Sequence, residues 1–188
     1  MKNRYLFMNQ TVKKMKNFTT FSILFLLFTS MSGNAGAQSD YRMQSVFLYN
    51  FTRLIAWPSD YQDGEFVVAV YGKSDMYNEV ENMAKTKKAG NQNIVAKQFN
   101  SAGEISKCHI VYIPSSQSRN IDEVVSTLQS KGIKALVVTE SRNATQDGSV
   151  INFTIVDNRQ RFELSQENAK AMGLNPGNEI QRLAILAD

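Results

Sequence analysis

The chain has 188 residues, a length usual for a single domain. Its formal net charge is +4, but five of its 21 Lys and Arg residues lie in the first 37 positions, which hold no Asp or Glu. The rest of the chain therefore carries a net charge of about −1, which gives no indication of nucleic acid or an acidic membrane surface as a partner. The single cysteine, Cys108, excludes an intrachain disulfide, so the domain must be stabilised by its core alone.

The N-terminus has the features of a signal peptide in the correct order. Basic residues precede an apolar run of 14 residues from Phe18 to Met31, and Ala35-Gly36-Ala37 then fits the small-x-small pattern of signal peptidase cleavage. Because a membrane-spanning helix needs roughly 20 apolar residues, we predict a cleaved signal peptide at residues 1–37 rather than a retained anchor. No cysteine follows the run, which argues against a lipoprotein, and translation starts at either Met1 or Met15. Residues 38–188 are expected to form one domain in the periplasm.

The first predicted element of this domain is an amphipathic helix from Tyr41 to Trp57. Its apolar residues recur at helical spacing and are Phe47, Leu48, Phe51, Leu54 and Ile55. Gln44, Asn50 and Arg53 are expected to lie mostly off that face. Pro58 ends the helix because the residue before a proline is disfavoured in the α region.

Apolar runs and helical periodicities alternate along the rest of the chain. The predicted strands are 66–71, 93–99, 109–113 and 135–138, followed by a hairpin of 150–156 and 160–164. The predicted helices are 74–85, 120–130, 166–172 and 179–186, and residues 85–91 are expected to form a loop. This alternation is typical of an α/β fold, a three-layer sandwich with a largely parallel central sheet flanked by helices. The antiparallel C-terminal hairpin is expected to form an edge of the sheet.

The sequence predicts neither a catalytic site nor a metal site. Cys108 and His109 are adjacent on a predicted strand, so their side chains point to opposite faces and cannot exchange a proton. There is no second histidine to complete a metal site with them. Gly72-Lys73-Ser74 resembles the end of a phosphate-binding loop, but Val67 stands where that motif requires glycine. No cofactor is predicted.

Small polar residues follow three of the predicted strands. In open α/β sheets ligands bind at the carboxyl ends of the strands, near the point where the strand order reverses. The sequence therefore gives as candidate ligand-binding residues Lys73, Ser74, Ser115, Ser116 and Thr139.

The hairpin provides candidates of a different kind. Arg161 and Glu163 share one face of the second strand, while Phe162 and Leu164 share the other. An exposed ion pair is one interpretation. The alternative is a recognition surface for a protein partner, since arginine is enriched at interface hot spots. The candidate partner-binding residues are Asn152, Arg159, Arg161 and Glu163.

Five motifs carry a resemblance to a known family. In chain order they are Val46-Phe47-Leu48-Tyr49-Asn50-Phe51 leading to Trp57-Pro58, Lys107-Cys108-His109-Ile110-Val111-Tyr112-Ile113, Gly148 with Ile151-Asn152-Phe153, Arg159-Gln160-Arg161-Phe162-Glu163-Leu164, and Ile180-Gln181-Arg182-Leu183-Ala184. In this order the motifs resemble the YfiR family of exported regulators, and they cover essentially the whole predicted domain.

The resemblance implies a periplasmic inhibitor rather than an enzyme. The family's namesake restrains a membrane-bound diguanylate cyclase, YfiN, by binding its periplasmic part, and so lowers cyclic di-GMP output. The family is also associated with α/β sandwich folds and with dimers. A disulfide-based redox switch does not carry over, because Cys108 has no partner. The membrane partner could also be another sensor, such as a histidine kinase.

A second function class stays open from the residues alone. The domain could bind a small ligand, or act as an enzyme, through the loops at the carboxyl ends of its strands. A bound small molecule in the purified protein would favour this alternative.

Overall fold

The computed structural model describes residues 35–187, with side chains from Asp40 onward. Residues 1–34, which hold most of the predicted signal peptide, lie outside the described residues. In the described residues, no helix is long and apolar enough to cross a membrane.

Within residues 35–187 there are five α-helices and ten strands. The helices are α1 (Ala35–Leu54), α2 (Met76–Ala84), α3 (Ile121–Ser130), α4 (Gln166–Ala171) and α5 (Asn178–Leu183). The strands are β1 (Ile55–Ala56), β2 (Phe66–Tyr71), β3 (Lys88–Ala89), β4 (Gln92–Phe99), β5 (Ile110–Ile113), β6 (Leu136–Thr139), β7 (Ile151–Val156), β8 (Arg159–Leu164), β9 (Asn175–Pro176) and β10 (Ile185–Leu186).

In the described part of the chain, eight strands form one sheet in the order β10-β8-β7-β6-β5-β2-β4-β3. Neighbouring strands from β4 through β2, β5 and β6 to β7 run parallel, and β8 then pairs antiparallel with β7. The chain enters the parallel part at β2, moves to β4 on one side, and returns to β5 on the other. The strand order therefore reverses between β2 and β5. This architecture confirms the predicted α/β class with a largely parallel sheet and an antiparallel C-terminal hairpin.

The centre of the sheet is covered on both faces. Every residue of β2, β5 and β6 is buried, as continuous apolar runs predict for strands beneath helices on each side. Helix α3 buries Ile121, Val124, Val125 and Leu128, the residues that share its predicted apolar face. Helix α1 buries Leu48 and Phe51 fully.

Several predicted boundaries are wrong, and pairing with distant residues explains most of them. Helix α1 ends at Leu54 rather than Trp57, because Ile55 and Ala56 form β1 against β9. The last helix ends at Leu183 rather than Leu186, since Ile185 and Leu186 pair parallel with β8. As a result β8 is not an edge strand. The loop predicted at 85–91 contains β3, which pairs antiparallel with the start of β4.

The hairpin between β7 and β8 turns tightly on two residues. Asp157 and Asn158 both have positive φ angles, 50° and 57°. Two consecutive left-handed residues match the twist of antiparallel strands, and Asp and Asn tolerate this conformation better than most residues. The turn aligns Phe153 with Phe162 on one face and Thr154 with Arg161 on the other.

Gly148 precedes the hairpin at a position where both conformation and space require glycine. Its φ is +91°, and an added Cβ would lie 3.1 Å from Cγ1 of buried Val125. Gly64 is a matched control, because its φ is +77° but nothing lies within 4 Å of an added Cβ. We expect Gly64→Ala to lower the free energy of unfolding by about 1 kcal/mol through backbone strain alone. Gly148→Ala should cost about 1–3 kcal/mol more because α3 must also shift.

Urea unfolding of both variants measures this difference. Equal losses of unfolding free energy would show that the contact with Val125 relaxes without cost.

Candidate functional site

A carboxylate joins α1 to the carboxyl end of the sheet. Glu140 follows β6, and its Oε1 accepts hydrogen bonds from the Tyr41 hydroxyl at 3.3 Å and the Ser115 backbone N–H at 3.1 Å. Its Oε2 accepts one from the side-chain amide of Gln44 at 3.2 Å. These donors come from α1 and from the segment after β5, so one side chain connects three separate parts of the sequence.

Gln44 extends this hydrogen-bond network into the core. Gln44 lies four residues before Leu48 and seven before Phe51, so it shares their buried helix face instead of lying off it as expected, and it is only 4% exposed. Its carbonyl oxygen accepts a hydrogen bond of 3.0 Å from the hydroxyl of Tyr112, which is completely buried in β5. Burial, with the nearby charge of Glu140, raises the pKa of Tyr112 and keeps its hydroxyl protonated as a donor. Both polar ends of Gln44 are therefore satisfied, which makes its burial acceptable.

A polar cleft of about 460 Å³ opens beside this network. Residues that follow β2 and β5 line it, together with the start of α2, the end of β4 and one residue of α1. They are Tyr41, Lys73, Ser74, Asp75, Tyr77, Asn78, Gln98, Pro114 and Ser116.

The structure divides the predicted ligand-binding residues. Lys73, Ser74 and Ser116 line the cleft. Ser115 uses its backbone N–H and its hydroxyl on Glu140 instead. Thr139 is completely buried, and its hydroxyl bonds to the side chains of Ser149 and Asn152. A ligand in the cleft would therefore contact the first three of these residues and not Thr139.

The predicted partner-binding residues also fall into two groups. Asn152 is 4% exposed, and its amide donates to Glu163 at 2.8 Å while its carbonyl oxygen accepts from Thr139 and from the Ser141 backbone. Asn152 thus positions Glu163 and cannot itself form a surface contact. Arg159 and Arg161 are exposed on the same hairpin face as Glu163. Among the described residues no ion pair joins Arg161 and Glu163, and Glu163 is instead hydrogen-bonded by Asn152.

Cys108 and His109 directly precede β5, and both are buried. Cys108 is completely buried, and burial raises the pKa of its thiol to about 12, so it carries no nucleophilic thiolate. The Nδ1 of His109 accepts from the Val67 N–H at 3.1 Å, and its Nε2 donates to the Tyr61 carbonyl at 2.7 Å. The ring stacks on Phe66 at 4.1 Å. Both ring nitrogens are used within the core.

The described residues contain no group of three His, Cys, Asp or Glu side chains that could hold a metal ion.

Aromatic packing joins α1 to the hairpin. Phe47 packs against Phe153 and Phe162 of the hairpin at 5.9 and 5.7 Å between ring centroids. The hairpin is thereby fixed to the same helix whose Tyr41 lines the cleft.

Sequence reasoning missed Tyr41, Gln44 and Glu140 as site residues. Tyr41 and Gln44 are three residues apart on one face of α1, but no local spacing connects either of them to Glu140. One signal was available for Glu140: it directly follows a buried strand in the parallel sheet, where carboxyl-end residues converge. The neighbouring residues of Glu140 do not indicate that it binds helix α1.

Comparison with known proteins gives one clear match. A family model described as YfiR/HmsC-like matches residues 41–185. The matched region begins at Tyr41 of α1 and ends at Ile185 of β10, so it includes the hairpin, the cleft and the Glu140 network. No curated protein matches the chain.

The Gln44 network can be tested by a double-mutant cycle. Gln44→Leu removes the acceptor of the buried Tyr112 hydroxyl and should lower the free energy of unfolding by about 1–3 kcal/mol. Adding Tyr112→Phe removes the unsatisfied hydroxyl, so the double variant should lose clearly less than the sum of the single losses. Chemical unfolding of all four proteins measures the coupling. Additive losses would contradict the hydrogen bond between these side chains.

His109 predicts a pH dependence of stability. Burial, assisted by the nearby positive charge of Lys107, lowers its pKa below the ordinary value despite the hydrogen bond to Tyr61. The imidazole of His109 is therefore protonated near pH 6.5 in the unfolded chain but only at a lower pH in the folded chain. Stability should fall as pH decreases below that value, by at most about 1.4 kcal/mol per pH unit from this one group.

Because His109 is the only histidine in the chain, its NMR titration gives an unambiguous readout of the folded-state pKa. Urea unfolding at pH 7.5, 6.5 and 5.5 measures the stability, with His109→Gln as the comparison that should lose this contribution. A folded-state pKa at or above 6.5 would contradict the prediction.

Proposed function

The chain belongs to the YfiR/HmsC-like family, and from this premise we propose that it is an exported regulator that inhibits a membrane-bound signalling protein, of the diguanylate cyclase type, by binding its periplasmic domain. Proteins of this family are regulators rather than enzymes, and they are periplasmic. The signal peptide predicted at residues 1–37 supports export of this chain by the same route.

The site chemistry supports a binding role. The candidate nucleophile Cys108 is protonated and completely buried, and the candidate base His109 is occupied by two backbone hydrogen bonds. The regulator would act through binding energy alone. If it binds the inactive state of its partner more tightly than the active state, it shifts the signalling equilibrium toward the inactive state, at most by the ratio of its two affinities.

The observation that carries the proposed contact surface is the exposed face of the β7–β8 hairpin. Val156 and Arg159 are paired across the strands at the tip, and Thr154 and Arg161 are paired one step inward. Val156 is 40% exposed, and both arginines are exposed. An apolar side chain beside two arginines that form no ion pair within the described residues has the composition of an interface hot spot.

This face is also held rigidly. Asn152 fixes Glu163 from the neighbouring strand, and Phe153 and Phe162 pack against Phe47 of α1. A preorganised surface loses little conformational entropy when it binds, so more of its contact energy appears as affinity. We name Val156, Arg159, Arg161 and Glu163 the hairpin face and propose that it contacts the membrane partner.

The hairpin face can be tested in intact cells of the host. Crosslinking of the tagged protein should recover one membrane-spanning signalling protein, and Arg161→Ala should weaken binding by about 2 kcal/mol, roughly 30-fold. Arg119→Ala, an exposed arginine in the segment after β5, is the matched control and should bind as the unmodified chain does. Melting temperatures of both variants should be unchanged, because both side chains are exposed.

Measuring cyclic di-GMP in the same cells distinguishes a wrong contact surface from a wrong proposed function. If deletion of the protein raises cyclic di-GMP but the Arg161→Ala variant still inhibits, the proposed inhibitory function is supported and the hairpin face is not the contact surface. If deletion leaves cyclic di-GMP unchanged and crosslinking recovers no membrane signalling protein, the proposed function is wrong.

A further inference from the structure

The polar cleft lies where the strand order of the sheet reverses. Lys73 and Ser74 follow β2, while Pro114 and Ser116 follow β5, and these two strands are neighbours that lead to helices α2 and α3. With the order β4-β2-β5-β6-β7, the connections after β2 and β5 diverge and leave a crevice between them. Cleft and topology therefore indicate the same place by independent observations.

The lining of the cleft combines aromatic rings with side chains that both donate and accept. Tyr41 and Tyr77 are partly exposed in it, and Asn78 and Gln98 add two exposed side-chain amides, of which that of Gln98 also donates to Asn100 at 2.9 Å. An amide presents a donor and an acceptor side by side, so it can bond to two neighbouring hydroxyl groups. A tyrosine ring presents an apolar face for C–H groups. This combination suits a ligand with hydroxyls on its rim and apolar ring faces.

The charges of the lining balance. Lys73 provides one positive side chain and Asp75 one negative side chain, both exposed. A phosphate or another multivalent anion would gain from Lys73 but be repelled by Asp75, only two residues away. Neither sign of ligand charge is therefore favoured.

One wall of the cleft is rigid before any ligand arrives. The Tyr41 hydroxyl donates to Glu140 at 3.3 Å, and its ring packs edge-on against buried Tyr112 at 6.5 Å between centroids. Tyr77 packs against the core from α2. The volume of about 460 Å³ falls within the usual range for small-molecule sites.

From this lining we propose that the cleft binds a neutral saccharide of one or two sugar rings. The rings of Tyr41 and Tyr77 contact the apolar faces of the sugar, and Asn78 and Gln98 bond to its hydroxyls. The inference does not rest on the proposed regulatory function, because none of these residues belongs to the hairpin face.

The exported protein, purified from its host, is tested on an array of neutral mono- and disaccharides. The strongest array ligand is then titrated by saturation-transfer NMR and calorimetry. Tyr77→Ala and Asn78→Ala should each weaken its binding about three- to tenfold, since each removes one stacking contact or one set of hydrogen bonds. Asn82→Ala is the matched control: the same residue type, exposed, one turn further along α2 and outside the lining. It should leave the affinity unchanged.

Tyr77→Phe keeps the ring and should retain most of the affinity, which separates a direct contact from a folding defect. Melting temperatures of all variants accompany the titrations. The proposal is overturned if no neutral saccharide binds, or if binding is insensitive to both Tyr77→Ala and Asn78→Ala. It is equally overturned if only inorganic phosphate, adenosine monophosphate or a zwitterionic amino acid binds in parallel titrations.

Discussion

Helix α1 is held on the sheet by one carboxylate together with its buried residues Leu48 and Phe51. Glu140 receives hydrogen bonds from Tyr41 and Gln44 of α1 and from Ser115 after β5. Gln44 extends this contact to the Tyr112 hydroxyl inside the core. A hydrogen bond to a charged acceptor is stronger than one between neutral groups, and a buried amide must be fully paired to be tolerated. The network therefore fixes the rotation of α1 about its own axis and how closely the helix packs on the sheet.

Helix α1 in turn connects the two surfaces to which we assign functions. Tyr41 forms a wall of the polar cleft, and Phe47, less than two turns further along, packs on Phe153 and Phe162 beneath the hairpin face. The aromatic contacts are edge-on or tilted at 5.7–5.9 Å, a geometry that stabilises beyond simple burial. Rigid contacts at two positions on one helix explain why neither surface depends on a long loop for its shape.

Apolar patterns predicted the elements well but not their ends. The continuous run Phe66–Tyr71 and the periodic face of α3 appear as predicted, because burial on a sheet or helix face is a local property of spacing. The errors at Ile55 and Ile185 arise where two residues pair with a strand distant in sequence, whereas Lys88 and Ala89 pair with the start of the next strand, β4. A two-residue strand has no periodicity of its own, so local spacing does not indicate it.

The sequence by itself determined the α/β class and the strand ends where Lys73, Ser74 and Ser116 meet. These follow from alternation and run length, which are properties of neighbouring residues. Only the tertiary structure decided which groups satisfy the buried Gln44, that Thr139 and Asn152 are buried, and that Glu140 binds α1. A polar side chain is buried when a distant partner satisfies its hydrogen bonds, and the identity of that partner depends on how the elements pack.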